Sequence, residues 1–352
     1  MLSIIAFALL PIVLLCAFTL GVVGNHFAFD FHTFWVAARD VLHGRSPYPA
    51  PETIDRTHLH TGAFEFFVYP PPFVVALAPL AVLPFGVAAG LFVVLLVASI
   101  LAVPALLGVR DWRCYGVALA AIPMLSAFRL GAVTPLLALA LAVAWRYRER
   151  WPVVGAAIGC AIVIKLFIWP VALWLVVTRR WKAAAVAIVG GAAATMIAWA
   201  ALGFAGFAEY PTLLRALSRL EATRSYSLVA VADRLGLPHP QVAWLALAVP
   251  LVVAVIFVTA LREARGLDRR AFVGSIALAL ILTPILWLHY FGLLLVPVAL
   301  VEPVLGVGWL ALLLFWVSPW IRPAVHPLWR LVFVLALAGF LIARAQRQRP
   351  AA

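Results

Sequence analysis

Apolar runs alternate with short basic stops along nearly the whole chain. The runs at about 2–23, 85–107, 115–128, 135–145, 183–202, 242–261, 272–288, 290–305, 306–321 and 328–342 each read as a membrane segment. A further run at 153–178 begins and ends beside basic stops, so it reads as a hairpin with Lys165 near its tip. Two stretches break the pattern. After the first run, FDFHTFWVAARDVLHGRSPY (29–48) places Phe31, Phe34, Trp35, Ala38 and Leu42 at helical spacing, which predicts a short amphipathic helix opened by Asp30 and ended by Gly44, Pro47 and Pro49. The segment 73–83 follows Tyr69-Pro70-Pro71-Pro72 and is too short to span, so a re-entrant or interfacial helix is expected there.

Composition sharpens this picture. Of 352 residues, 66% are hydrophobic and 11% charged, and the mean hydropathy is +1.11, which excludes a water-soluble domain. A β-barrel would show alternating ten-residue strands, and none is seen. The expectation is an all-α polytopic membrane protein, a single integral membrane domain over 1–352 with about 11 to 13 segments. The first run lacks a basic leader and a small-x-small cleavage site, so it reads as a retained helix. Cys16, Cys114 and Cys160 all lie in apolar runs, which argues against a disulfide framework or a metal cluster.

The net charge of +13 accompanies no nucleic-acid motif. It reads as membrane topology plus contact with anionic headgroups. Arg110/Arg113, Arg146/Arg148/Arg150, Arg179/Arg180/Lys182, Arg262/Arg265/Arg269/Arg270 and Arg344/Arg347/Arg349 form five tight clusters. By the positive-inside rule these are cytoplasmic, as are both termini. Counting crossings between them puts two stretches outside, 24–72 and 203–241. Asp30, Tyr69, Arg129 with Gly131 and Thr134, Lys165, Arg224 to Ser227 and His289 all fall on that outer side. A parity count blind to chemistry thus collects the unusual polar residues on one face of the membrane.

Each of these residues carries a plain reading beside a chemical one. Asp30 suits a helix N-cap; it also suits a general base that takes a hydroxyl proton while a sugar carbon is attacked opposite its leaving group. With phosphate leaving, cationic donors suffice and no separate acid is needed. Lys165, one of two lysines, interrupts an apolar run, where an ionisable group costs about 2.5–3.5 kcal/mol unless paired or snorkelling. It is either a tip lysine reaching water or a phosphate contact, and Arg129 has the same two readings. Arg224 suits a solvated arginine or a phosphate contact. His289 suits interfacial packing or donation to a phosphate or sugar oxygen, while Trp287 and Tyr290 read as aromatic-belt residues. The other histidines show no zinc spacing, and no glycine-rich phosphate loop is present.

Asp30, Ala37-Ala38, Gly44, Pro47-Tyr48, Tyr69-Pro70-Pro71, Gly131-x-Val133-Thr134, Lys165, Arg179-Arg180-Trp181, Ser225-Tyr226-Ser227-Leu228 and Thr283-Pro284-x-x-Trp287-x-His289-Tyr290 follow one another along the chain. This ordered set resembles glycosyltransferase family 87, polyprenyl-phosphomannose-dependent α-mannosyltransferases of the GT-C fold, from about residue 2 to 300. It departs from the family pattern at Ala132, Leu166 and Ser225 to Ser227. The resemblance implies inverting transfer of a hexose, mannose, from a polyprenyl monophosphate donor to a lipid-linked or glycan acceptor at the extracytoplasmic face. It implies Asp30 as base and His289 as a substrate-site residue; beside these, Lys165, Arg129, Tyr69, Arg224 and Tyr226 are the candidate substrate or donor-phosphate contacts. No cofactor is implied; the lipid-linked sugar is a substrate, and no acidic cluster suggests a metal. The expected partners are that donor, the acceptor and membrane lipids. The competing classes are a lipid or solute transporter, which would carry midplane carboxylates and an internal repeat, and a non-catalytic assembly partner in envelope synthesis.

Overall fold

A computed structural model describes residues 1–20, 27–48, 67–238, 267–318 and 326–347. The expected segment 242–261 and parts of both expected outer stretches lie outside the described residues. In chain order the helices are α1 (Leu2–Thr19), α2 (Phe29–Leu42), α3 (Pro71–Ala81), α4 (Phe85–Leu106), α5 (Trp112–Ala120), α6 (Ile122–Leu130), α7 (Thr134–Arg146), α8 (Trp151–Ile164), α9 (Leu166–Val177), α10 (Trp181–Ala201), α11 (Tyr210–Glu221), α12 (Leu228–Arg234), α13 (Leu267–Leu282), α14 (Leu288–Val301), α15 (Val307–Val317) and α16 (Leu328–Arg347). No strand occurs among the described residues.

Where the sequence reading expects about 11 to 13 segments, four described helices (α1, α4, α10 and α16) are long and apolar enough to cross a bilayer. The bent pair α6–α7 makes a fifth if taken as one span, and α3, α8, α9, α14 and α15 are shorter apolar helices. Breaker chemistry explains the shortening. Gly131 adopts φ +67°, a left-handed conformation that suits glycine, so the chain turns by 118° between α6 and α7. Prolines sit in the first turns of α3, α6, α7, α8 and α11, where a missing N–H costs nothing. The hairpin expected at 153–178 is present as α8 and α9, joined at an extended Lys165. Each leg rises about 20 Å, short of the roughly 30 Å hydrocarbon core of a bilayer.

The basic clusters meet at one end of the bundle. Arg180 pairs with Asp268 and with Glu149 at 3.2 Å, Trp174 donates its indole N–H to Asp268 at 2.6 Å, and Arg148 stacks on Trp145. Asp111 caps α5, accepting from the Arg113 N–H at 3.0 Å, and also accepts from the Leu305 N–H at 3.1 Å. The Arg113 guanidinium beside it holds the Asp111 carboxyl well below the usual carboxylate range. Glu302 is buried and pairs with Arg344, and Gln346 donates to the Arg270 carbonyl. From this end α8 runs up to Lys165, α13 to Thr283, and α5–α6 to Arg129, so the opposite end receives the polar residues singled out above.

Candidate active site

The first turn of α2 is held by a tight backbone arrangement. Ala28 sits in the left-handed region at φ 55°, a conformation that costs a residue with a Cβ about 1–2 kcal/mol. Its N–H donates to the Arg129 carbonyl at 2.7 Å, which offsets part of that cost. A Cβ on Gly131 would stand 2.6 Å from Phe31 Cβ, so the α6–α7 turn fits against α2 only with glycine there. Asp30 is therefore the second residue of a fixed helix, not its N-cap, which is Ala28. The helix dipole favours a carboxylate in that first turn. Phe31, Phe34 and Ala38 are buried as the spacing predicts, with Phe34 edge-on to Tyr69 at 4.7 Å and to Phe73 at 5.0 Å. Leu42, expected on the same face, is exposed.

Asp30 lines a cavity of about 350 Å³. Tyr69, delivered by the segment before the proline-led α3, and Lys165, at the α8–α9 break, line it too. Lys165 Nζ donates to the Tyr69 hydroxyl at 2.6 Å and lies 4.5 Å from the ring centroids of both Tyr69 and Tyr290. Phe167 stacks on Tyr290 at 4.6 Å and completes an aromatic frame for the ammonium. A carboxylate that can take a proton and a cation that can hold an anion thus share one space.

Other predicted residues lie beside the cavity. Arg129 is buried at the C-terminal end of α6, and it is the carbonyl of Arg129 that grips α2. His289 is 4% exposed and packs edge-on against Tyr290 at 4.8 Å, behind the lining. Arg224 reaches toward Glu221 at 3.9 Å. Tyr226 is buried against Phe291 and His326, and its N–H donates to the Leu286 carbonyl at 2.8 Å, tethering this segment to the approach to α14. Trp287 and Tyr290, read from sequence as belt residues, line the cavity.

The remaining wall was not foreseen. Within the expected outer stretch 203–241, α11 presents Leu214, Leu217, Ser218 and Glu221 to the hollow. These are positions i, i+3, i+4 and i+7, one face of a helix. The signal was present in YPTLLRALSRLE, a proline-led amphipathic segment.

Four described apolar helices of spanning length, together with a hollow lined by a carboxylate and a framed ammonium from α2, the α8–α9 break, α11 and the approach to α14, define a multi-pass membrane protein with an enzyme-like site. The family model of glycosyltransferase family 87 matches residues 67–288. The chain belongs to glycosyltransferase family 87 and is a membrane glycosyltransferase. Over 302 residues it is 28% identical to the polyprenol-phosphate-mannose-dependent alpha-(1-2)-phosphatidylinositol pentamannoside mannosyltransferase of Mycolicibacterium smegmatis, covering 78% of this chain and 73% of that relative. No solved structure matches the chain. The matched family segment contains Tyr69 and Lys165 but begins after Asp30, so the case for Asp30 rests on geometry.

Proposed function

We propose that this glycosyltransferase moves a hexose, mannose, from a polyprenyl monophosphate donor to a lipid-linked or glycan acceptor with inversion at the anomeric carbon. The observation that carries the reading is the single cavity lined by Asp30 and by Lys165 in its aromatic frame. The donor phosphate lies at Lys165, where the ammonium and the Tyr69 hydroxyl neutralise charge as the bond from the anomeric carbon to the phosphate oxygen breaks. The acceptor oxygen forms its bond to that carbon from the opposite face and gives its proton to the Asp30 carboxylate. The phosphate leaves as an anion and requires no acid. The relative's printed dependence on polyprenol-phosphate-mannose supports a lipid-linked donor.

The same reading puts the site at the extracytoplasmic face of a bacterial cytoplasmic membrane, with both termini inside. Its support is the position of the short-loop basic clusters: Arg113, Arg148, Arg180 and Arg344 gather at the end away from the cavity. A donor confined to the bilayer suits a site on a face where nucleotide sugars are absent. The test is transfer of labelled mannose from polyprenyl-phosphomannose to a membrane lipid extract by the purified chain. Labelled product supports the reading. Movement of intact lipid across vesicles without glycosyl transfer contradicts it and favours a transporter.

A further inference from the structure

Glu221 is the second carboxylate of the cavity, and the reaction above gives it no task. It ends α11, is 5% exposed, and lines the same hollow as Asp30 and Lys165. Its Oε2 is buried and makes no hydrogen bond among the described residues. The Arg224 guanidinium stands 3.9 Å from Oε1, beyond hydrogen-bond length. A buried carboxylate oxygen without a donor is costly, and such a cost is relieved when a ligand brings the donor.

The chemistry of the wall narrows that ligand. A phosphate is repelled by a carboxylate, so the donor's anionic group belongs at Lys165 and not here. A neutral group rich in hydroxyls satisfies Glu221 without adding charge. Around it, Ser218 lies one turn back on the same face, while Leu214, Leu217 and Trp287 are apolar or aromatic. Hydroxyl acceptors beside apolar surface match a hexose ring, which has polar edges and a face of C–H bonds. The donor's hexosyl ring is joined directly to its phosphate, so with the phosphate at Lys165 it fills the same 350 Å³ space.

We infer that Glu221 is a specificity residue that accepts a hydrogen bond from a hydroxyl of the donor's hexosyl ring and so selects which sugar is transferred. The inference rests on the transferase reading above. A site built around a sugar hydroxyl rejects analogues lacking it, because its acceptor is then left buried and unpaired.

The test uses the full chain in lipid nanodiscs, with polyprenyl-phosphate mannose and its 2-, 3-, 4- and 6-deoxy analogues as donors and a membrane lipid extract as acceptor. The wild type should lose about 10- to 100-fold in kcat/KM on one deoxy donor. Glu221→Ala should lose a similar factor on the parent donor and nothing further on that deoxy donor. Glu221→Gln, which keeps one acceptor oxygen, should fall between, and a melting curve shows that each variant folds. Equal loss on all donors, or no loss on any, overturns the inference. These results are distinct from failure of the transferase reading, in which the wild type itself transfers nothing and both proposals fall.

Discussion

The two ends of the bundle use charge in opposite ways. At the basic end, guanidinium and carboxylate meet directly: Arg113 on Asp111 at 2.7 Å, Arg180 on Glu149 and Asp268, Arg344 on Glu302. At the cavity end, Lys165 hydrogen-bonds the Tyr69 phenol between two aromatic rings, and Glu221 Oε2 is buried with no hydrogen bond among the described residues. Charges that pair with each other fasten helices together. Charges set around a hollow await something else, and the fold has accepted their desolvation to keep them there.

The two ends should respond differently to mutation. The largest effect is expected at Lys165. Lys165→Met should lower transfer by about 10²- to 10³-fold, the usual cost of removing one stabiliser of developing negative charge. The melting temperature in detergent should stay close to wild type, because relief of the buried ammonium offsets the lost Tyr69 hydrogen bond and ring contacts. At the other end the pattern reverses. Arg180→Ala takes one of two guanidinium partners from Asp268, whose side chain is 32% exposed, leaving Arg148 at 3.3 Å. It should cost about 1–3 kcal/mol of stability while KM for the donor in the folded fraction stays unchanged.

A smaller effect comes from a group that belongs to neither pattern. His326 is buried against Tyr226, and burial, with Arg330 and Arg234 nearby, pushes its pKa from 6.5 down to about 4. The unfolded chain binds a proton at this residue below about pH 6.5, and the folded chain does so only near pH 4. Stability is therefore full above pH 6.5 and falls as the pH drops toward 4, by up to about 2–3 kcal/mol. Melting curves between pH 7 and 5 should show the slope, and His326→Phe should flatten it.

Much of this was legible in the sequence, for physical reasons that differ by residue. Asp30 and Lys165 stand out because an ionisable group beside or within an apolar run is expensive. The proline-led α3 and the Gly131 turn are legible because their backbone chemistry leaves few alternatives. His289 shows the limit. The first turns of α14 are 3-10, in which residues three apart lie over one another. Tyr290 and Trp287, the residue that caps this helix, line the cavity, while His289 between them in sequence is buried against Tyr290. Glu221 was passed over because α11 sits in a stretch rich in arginine that reads as a solvated loop; its i, i+3, i+4, i+7 stripe becomes meaningful once a hollow lies opposite. Arg224, which suits a solvated arginine or a phosphate contact by sequence, has its guanidinium 3.9 Å from Glu221.

The central claim is that Asp30 takes the acceptor's proton inside the cavity. Its most direct test is Asp30→Asn in the labelled-mannose transfer assay, with the melting temperature measured on the same preparation. The substitution keeps the size and the helix position but removes the base. The expected result is a fall in transfer of at least about 10³-fold with melting within a degree or two of wild type. Transfer within tenfold of wild type would contradict the account and remove Asp30 from the chemistry.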